Sequence, residues 1–302
     1  MNVKRKGEWF EWMIPKEWEG IPLQELIKTK IKAPKGLVHQ WRQHNGVKVN
    51  RKKPYWVLPL YTNDRLSIHL FPKEDYGVIP VYRKVDVLYE DDHIIILNKP
   101  AGVNTHPNKE NETNTLANAL AFYYQVNGIS TKTRHVHRLD QDTTGAVVFA
   151  KHSLAHAILD QELKERSLKR TYVAIVHGKL TRKSGVIKAA IGKDRHHPNK
   201  RRVSKNGKYA VTHYEVLKYS PKLNVSAVRL TLDTGRTHQI RVHLSYIGHP
   251  IIGDKLYGGQ PLLISRQALH ANRVTLKHPI TNQIIDVTAP FPKDMKKVLD
   301  KI

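Results

Sequence analysis

The sequence predicts an α+β fold, because its predicted strands are grouped rather than alternating one by one with helices. Stretches rich in β-branched and aromatic residues, bounded by turn-forming residues, are typical of strands. They are HIIIL, GAVVFAK, RTYVAIVHG, YAVTHYEVLKY and SAVRLTLDTG. Two other segments, TLANALAFYYQ and HSLAHAILDQELKER, have the three-and-four spacing of amphipathic helices. We therefore predict a mixed, mostly antiparallel sheet with flanking helices, not a doubly wound parallel sheet.

The chain is long enough for two domains. Its 302 residues, 40% of them hydrophobic, can bury one large core and a smaller companion core. From Gly20 to Leu70, two short helical patterns precede a pair of predicted strands, VKVN and LSIHL. The proline-containing stretch FPKEDYGVIPVYRK then places a boundary between Phe71 and Lys84. We predict a small αα-β module at residues 1–80 and a larger domain at residues 81–302.

The charge balance indicates the kind of partner. The 51 Lys and Arg residues outnumber the 26 Asp and Glu residues, which gives a net charge of +25. Such an excess favours a polyanionic partner. No stretch approaches the ~20 apolar residues of a spanning helix, and no apolar signal region follows the charged N-terminus. We predict nucleic acid as the partner, and no membrane.

The chain contains no cysteine. This composition excludes disulfide bonds and thiolate metal sites, and it favours a reducing compartment. The predicted location is therefore the cytoplasm.

A group of basic residues lies in the small module, on or after its first predicted helix and in the turn between its strands. Its members are Lys28, Lys30, Lys32, Lys35, Arg51, Lys52 and Lys53. They can contact phosphates of a nucleic acid. A solvated charged face explains them equally well, since lysine-rich helix surfaces are common. Charge alone leaves both interpretations open.

The first candidate for chemistry is the segment HRLDQDTTG, which runs from His137 to Gly145 just before the apolar strand AVVFAK. A polar loop at the edge of a strand mounts side chains rigidly, and Gly145 permits a close turn there. Asp140 and Asp142 can serve as catalytic carboxylates. Aspartates in such loops more often cap turns, so this segment alone favours the structural interpretation.

The second candidate is LDTGRTHQIRVHL, where polar and basic side chains crowd between two apolar stretches. They are Arg236, His238, Gln239, Arg241 and His243. A guanidinium beside a buried carboxylate keeps that carboxylate ionised and fixes its direction, and Arg241 is the best candidate for this role. A surface cluster that contacts phosphates fits the same residues, and charge cannot separate the two interpretations.

Metal and nucleotide chemistry lack their usual signatures. His135 and His137 lie two residues apart near Asp140, but no His-Glu-x-x-His helix occurs, and a chain with 18 histidines places two close together often by chance. There is no glycine-rich phosphate loop and no G-x-S-x-G elbow. We predict cofactor-free chemistry without a metal.

Several ordered segments resemble the RluA-type RNA pseudouridine synthases. HRLDQDTTGAVVFAK is similar to the hallmark motif of that family, and the similarity extends from about Val85 to Pro292. The other matching segments are NKPAGVNTHP, KRTYVAIVHG, GRTHQIRVHL, HPIIGDKLYGG and RQALHANRVTLKHPIT. Agreement of several motifs in order is far more specific than one motif alone.

The resemblance implies an isomerase that converts uridine to pseudouridine in ribosomal or transfer RNA, with no obligate protein partner. It assigns the catalytic aspartate to Asp140, the active-site aromatic to Tyr172 and the arginine partner to Arg241. Thr144 departs from the family, which usually has Ser, but it keeps a hydroxyl and we expect little consequence. The aspartate can act as a nucleophile toward the sugar or as a base, and Tyr172 can stack on the base.

Residues 1–80 resemble the S-four-like RNA-binding module that many of these enzymes carry. The segment APKGLVHQWRQHNGVKVNRK has the helix, glycine turn and strand of that module, but it lacks the usual Ser-Arg pair at the start of the helix.

The predicted RNA contacts combine residues near the two candidate motifs with a basic segment, KDRHHPNKRRVSKNGKYA. They are His137, Arg138, Lys193, Arg195, Lys200, Arg201, Arg202, Arg236, His238 and Gln239. Pro198, Asn199, Asn206 and Gly207 favour a flexible loop that clamps RNA, with a solvated, disordered loop as the alternative.

Two other functions fit parts of the sequence. A non-catalytic RNA-binding or ribosome-assembly protein would retain the fold, although the joint presence of Asp140, Tyr172 and Arg241 argues against it. A basic, metal-dependent nuclease would use the His and Asp residues, and metal analysis with a cleavage assay would identify it.

Overall fold

The structure is a computed structural model that describes residues 3–302, and its sheets confirm the predicted α+β class. A four-stranded sheet forms the N-terminal part, and a ten-stranded sheet dominates the remainder. Residues 1 and 2 of the predicted module lie outside the described residues. None of the helices within residues 3–302 is long and apolar enough to cross a bilayer.

The N-terminal sheet has the order β1-β2-β4-β3, with antiparallel neighbours throughout. Its elements are β1 (Val3–Lys6), β2 (Trp9–Met13), α1 (Leu23–Thr29), α2 (Lys35–Gln43), β3 (Val47–Val49) and β4 (Arg65–His69). The two helices and the last two strands agree with the predicted pattern. Strands β1 and β2 were not predicted, because their charged residues masked a short alternation in which Phe10 and Trp12 are buried.

The large sheet follows the order β10-β13-β14-β9-β15-β8-β6-β5, with β16 beside β15 and β7 beside β8. Its strands are β5 (Val87–Glu90), β6 (Ile94–Lys99), β7 (Arg134–His135), β8 (Thr144–Ala150), β9 (Lys169–His177), β10 (Ser184–Lys188), β13 (Val211–Ser220), β14 (Val225–Leu232), β15 (Leu269–Lys277) and β16 (Ile284–Thr288). The flanking helices are α3 (Leu116–Val126), α4 (Ser153–Lys164), α5 (Gln239–Tyr246) and α6 (Lys293–Leu299). Among these strands only β8 and β15 pair in parallel, so the sheet is mixed and mostly antiparallel, as predicted.

The parallel pair β8–β15 brings two of the recognised motifs together at the middle of the sheet. Thr144 lies opposite His270, and Gly145 lies opposite Ala271. Gly145 has φ +112°, and a Cβ atom there would lie 2.2 Å from the carbonyl oxygen of Ala271. Glycine is therefore required by the close approach of two strands, not by the turn that the sequence predicted.

The basic segment predicted to be a loop contains an ordered hairpin, β11 (Ile191–Lys193) and β12 (Arg201–Val203). Val203 packs into a small apolar cluster with Tyr257 and with Val242 of α5. The segment is therefore fixed against α5 at its base, while its tip, residues 195–199, is exposed. Loop-forming residues at the tip were recognised in the sequence, but this apolar anchor was not.

The N-terminal core extends into the larger part of the chain. Its buried tryptophans and leucines pack in one cluster with Leu154 of α4 and Ile280 of the turn after β15. The predicted division at residue 80 remains a prediction. The shared cluster holds the N-terminal sheet directly against the back of α4.

Candidate active site

Asp140 lies in the loop that joins β7 to β8, and the backbone of this loop is tightly bonded. The Thr105 hydroxyl donates to the carbonyl of Leu139 at 3.1 Å and accepts from its amide at 3.0 Å. The amide of Thr143 donates to the carbonyl of Asp140 at 3.1 Å. The loop is therefore held in one conformation before any substrate binds.

Lys99 stabilises the same loop by donating hydrogen bonds to backbone carbonyls. Its ammonium is fully buried and donates to the carbonyls of Pro100, Val103 and Gln141 at 2.9, 2.7 and 2.7 Å. Burial lowers the pKa of Lys99 to about 7, although the carboxylates of Asp142 and Asp140 act in the opposite direction. The sequence showed this lysine within NKPAG but gave no indication of its role.

Arg241 joins two carboxylates. Its Nη1 donates to Oδ2 of Asp140 at 3.1 Å, while Nε and Nη2 donate to the two oxygens of Asp254 at 2.7 and 2.8 Å. The Asp254 side chain is 1% exposed and that of Asp140 is 22% exposed. The inner carboxylate thus fixes the guanidinium, and the guanidinium directs the outer carboxylate toward solvent.

The electrostatics of this group favour a permanently charged guanidinium. Burial alone lowers the pKa of Arg241, but the bidentate bond to Asp254 and the charge of Asp140 outweigh it and raise the pKa above its ordinary value. The guanidinium also lies 5.0 Å from the ring centre of Tyr257. Asp254 and Tyr257 were missed by sequence reasoning, although both lie in the segment HPIIGDKLYGG.

His238 is the residue immediately before α5 and has a left-handed backbone, with φ +57°. Its Nε2 lies 3.8 Å from Oδ2 of Asp140, and its Nδ1 is 2.8 Å from the hydroxyl of Tyr257. Burial lowers the pKa of His238, and the nearby charge of Asp140 only partly opposes this. A neutral imidazole therefore faces the carboxylate at neutral pH.

Tyr172 lies on β9, one of the most protected strands of the sheet, between β14 and β15. It pairs with Leu230 on one side and with Ala271 on the other, and it is 4% exposed. Tyr172 and Asp140 line the same cleft. The sheet thus fixes the ring in the wall of the cleft that also holds Asp140.

The cleft has a volume of about 610 Å³ and a largely cationic wall. Asp140 and Asp233 are its acidic residues. Its basic side chains are Arg138, Lys164, Arg166, Arg170, Arg236 and Arg241. Lys164, Arg166 and Arg170 were not among the predicted contacts, because the run KERSLKR is indistinguishable in sequence from the charged end of a surface helix.

The remaining predicted RNA contacts differ in exposure. Arg138, Lys193, Arg195, Arg202 and Arg236 are exposed, and Lys200, Arg201 and His238 are half-buried. The hairpin residues lie beside the site, because the amide of Arg201 donates to the hydroxyl of Tyr257 at 2.9 Å. These positions are available to a polyanion that approaches the cleft.

Gln239 lines the cleft but is buried, and its predicted contact with RNA stays a prediction. It is 3% exposed, and its amide group donates to the Val211 carbonyl at 2.9 Å and accepts from the Arg236 amide at 3.0 Å. The side chain joins the loop before α5 to β13. These internal hydrogen bonds fix Gln239 in the cleft wall.

His137 is also buried, at 5% exposure, and its Nε2 accepts from the amide of Val148 at 3.3 Å. Burial holds its pKa well below the ordinary range, so it carries no charge for a phosphate. His137 lines the cleft, and its predicted contact with RNA stays a prediction.

Within residues 3–302, no three His, Asp or Glu side chains converge in an arrangement that could hold a metal ion. His135 instead packs edge to face on His106, with ring centres 4.3 Å apart.

The fold and the cleft are those of a known protein family. The family described as RNA pseudouridylate synthase matches residues 93–246, which include the Asp140 loop, Tyr172 and Arg241. The chain belongs to the RNA pseudouridine synthase family. It is thus an isomerase that converts uridine to pseudouridine in RNA. The N-terminal domain of the RluD ribosomal pseudouridine synthase matches residues 10–66, in agreement with the predicted S-four-like resemblance.

Relatives of this pseudouridine synthase extend over nearly its whole length. An uncharacterized RNA pseudouridine synthase of Bacillus subtilis, YhcT, is 51% identical over 296 residues and covers 98% of both chains. The ribosomal large subunit pseudouridine synthase D of Haemophilus ducreyi is 36% identical over 275 residues, which are 85% of this chain and 82% of that protein.

Solved structures agree on the fold. The human RNA pseudouridylate synthase domain containing 1 protein has a TM-score of 0.57 and 27% identity, covering 69% of this chain and 84% of its own. The human domain containing 4 protein has a TM-score of 0.59 at 24% identity, covering 72% and 92%.

Proposed function

We propose that this pseudouridine synthase uses Asp140 as its catalytic carboxylate and acts on uridines of structured ribosomal RNA. The observation that carries the proposal is the Arg241 bridge, which ties Asp140 to the buried Asp254. A carboxylate so oriented, partly exposed in a cationic cleft, has the charge and direction that attack on a sugar or removal of a sugar hydrogen requires.

The reaction needs no external electrons or atoms. The bond from C1′ of the ribose to N1 of uracil breaks, the base turns, and C1′ bonds to C5 of the same base. The hydrogen on C5 leaves as a proton, and N1 gains one. Asp140 supplies a carboxylate beside the sugar, which can act as nucleophile or as base, and Arg241 orients this carboxylate by donating a charge-assisted hydrogen bond to it.

Tyr172 is proposed to hold the base. Its ring is fixed by β14 and β15, so little conformational entropy is lost when an aromatic base stacks on it. Stacking of a base on an aromatic side chain contributes about 1–3 kcal/mol. The neutral His238 and the hydroxyl of Tyr257 form the polar side of the same site.

The cationic surface is proposed to bind the RNA backbone around an extruded uridine. Extrusion costs a few kcal/mol, and phosphate contacts by the cleft arginines and the β11–β12 hairpin can offset it. The N-terminal residues 1–80 add an RNA-binding module in this proposal. The relation to the Haemophilus ribosomal enzyme supports ribosomal RNA as the substrate. The lack of cysteine supports a cytoplasmic location.

Pseudouridine mapping tests this proposal. Ribosomal and transfer RNA from cells that lack the protein are compared with RNA from cells complemented by the wild type or by Asp140→Asn. We expect one or more ribosomal pseudouridines to disappear, to return with the wild type and to stay absent with the variant. Loss of pseudouridine only from transfer RNA would overturn the substrate assignment, and rescue by the variant would overturn the assignment of Asp140.

A further inference from the structure

Asp142, Thr143 and Thr144 follow Asp140 closely in the chain. Each forms a hydrogen bond with the segment RQALH, residues 266–270, which leads into β15. Arg266 Nη1 donates to the carbonyl of Asp142 at 3.0 Å. The Gln267 amide donates to the hydroxyl of Thr143 at 3.4 Å, and His270 Nδ1 lies 2.8 Å from the hydroxyl of Thr144. Three consecutive residues of the HRLDQDTTG motif thus form hydrogen bonds with three residues of the RQALH segment, in the same order along both segments.

Arg266 is the only charged member of these three partners, and Asp294 holds it. Nε and Nη2 of Arg266 donate to the two carboxylate oxygens of Asp294 at 2.8 and 2.9 Å. The Arg266 side chain is 12% exposed, so this bidentate pair is well shielded on the arginine side. A bidentate pair fixes the plane of the guanidinium and therefore the direction of its remaining Nη1 donor.

Asp294 is itself anchored. It lies in the first turn of α6, and the next residue, Met295, is fully buried in the main core together with Val298. The Asp294 carboxylate also accepts from the amide of Met295 at 2.7 Å. A short C-terminal helix, fixed by the core, is thereby connected through two side chains to the loop of Asp140.

We propose that Arg266 and Asp294 are positioning residues that set the conformation of the Asp140 loop for turnover. This inference rests on the proposed role of Asp140. With Lys99 on the carbonyl of Gln141 and Arg266 on the carbonyl of Asp142, two basic side chains hold adjacent peptide groups directly after the carboxylate. A small displacement of a reacting group can cost about 100-fold in rate, so a change at Asp294 that releases Arg266 is expected to slow chemistry more than binding.

The chain offers a control pair on β15, the strand that follows Arg266. Arg273 of β15 forms a bidentate pair with Asp286 of β16, and this pair lies in the exposed part of the sheet, where the guanidinium does not bond the Asp140 loop. Asp286→Asn therefore removes the same kind of bidentate ion pair from a nearby part of the chain. Asp294→Asn, in contrast, removes the partner of an arginine that bonds the Asp140 loop.

The experiment measures single-turnover pseudouridine formation with saturating RNA, RNA affinity and melting temperature for both variants and for Asp294→Glu. We expect Asp294→Asn to lower the single-turnover rate about 10-fold to 100-fold, with RNA affinity unchanged and with Asp294→Glu recovering part of the rate. Asp286→Asn is expected to keep the wild-type rate. Amide hydrogen exchange at residues 141–144 should increase only in the Asp294 variants, which separates loop positioning from general stability.

Asp294→Asn turning over at the rate of Asp286→Asn, with unchanged exchange at residues 141–144, would overturn the positioning proposal and leave the role of Asp140 intact. If Asp294→Asn fails to fold, Asp294→Glu decides by the same rate and exchange measurements. An active Asp140→Asn variant, measured in parallel, would instead overturn the proposed function. The two failures are therefore distinguishable.

Discussion

Arg241 contacts Asp140 through a single nitrogen, Nη1, at 3.1 Å, because its Nε and Nη2 are already committed to Asp254. The pairing is asymmetric: the buried Asp254 anchors the guanidinium, and the more exposed Asp140 receives only its remaining donor. Asp140 therefore keeps one carboxylate oxygen free of this arginine while its direction is fixed.

Arg241→Lys tests whether turnover requires the planar guanidinium, which bonds Asp254 and Asp140 at the same time. An ammonium cannot bond both oxygens of Asp254 and also reach Asp140 with the same planarity, so we expect turnover to fall at least about 100-fold. Arg241→Ala should be inactive and less stable by roughly 3–5 kcal/mol, since it leaves a buried carboxylate without a partner. Arg229→Lys, in an exposed pair with Glu215, is the control. Near-wild-type turnover by Arg241→Lys would show that a point charge suffices.

The lowered pKa of Lys99 makes stability depend on pH. In the folded protein the pKa falls from 10.5 to about 7, so between these values the unfolded chain binds more protons than the folded one. Stability then rises with pH in this window, by up to about 1.4 kcal/mol per pH unit for one proton. Below pH 7 both states are protonated, and the cost of burying the charge is fully present.

Urea unfolding of the wild type and of Lys99→Met, at pH values from about 7.5 to about 9, measures this contribution. We expect the free energy of unfolding of the wild type to rise relative to that of the variant. Buried histidines have lowered pKa values and no longer titrate there, so they do not interfere. Parallel curves for the two proteins would contradict the assignment to Lys99.

Thr144 is expected to stabilise the fold through its hydroxyl group. Burial lowers the pKa of His270 to about 4, so its ring is neutral. Its Nε2 faces the carbonyl of Ala289 at 3.2 Å and must donate, which leaves Nδ1 to accept from Thr144. Thr144→Val should lower the free energy of unfolding by about 1–3 kcal/mol, because it leaves the buried Nδ1 of His270 without a hydrogen-bond donor. Thr144→Ser introduces the residue that is usual in related enzymes and should leave the free energy of unfolding almost unchanged. Thermal unfolding of the wild type and of both variants measures these differences.

The β11–β12 hairpin is expected to contribute to the salt dependence of RNA binding. Replacing Lys193, Arg195 and Arg202 by Ser should reduce the slope of log affinity against log salt by about 0.7–0.9 for each phosphate that the hairpin no longer neutralises. The control replaces Lys179, Lys218 and Lys222, which are exposed and lie outside the hairpin. Equal slopes for the two triple variants would count against a specific role of the hairpin.

Much of the site could be located from the sequence, because its residues lie in compact motifs. Asp140 and Arg241 are 101 residues apart, yet each was recognised within its own segment, and the structure brings them together. The parallel contact of β8 with β15, which sets the Asp140 loop, was not predicted. Strand pairing over such a distance is decided by tertiary packing, which local periodicity does not report.

Exposure was harder to predict than residue type. His137 and Gln239 stand among basic residues in the sequence, but both are buried in the fold, where His137 Nε2 accepts from the Val148 amide and the Gln239 amide donates to the Val211 carbonyl. Asp254 was missed for the converse reason, since its role depends on contact with Arg241 from α5. A sequence shows which polar groups are present, and packing decides which of them face solvent.

The most direct test of the central claim is release of tritium from RNA labelled at C5 of uridine, since formation of the new bond to C5 expels that hydrogen. Asp140→Asn keeps the size of the side chain but removes its charge, so we expect RNA binding to survive and tritium release to stop. Asp142→Asn is the matched control, because Asp142 contacts Arg266 through its backbone carbonyl, and it should retain activity. Release from Asp140→Asn at the wild-type rate would contradict the assignment of Asp140 as the catalytic carboxylate.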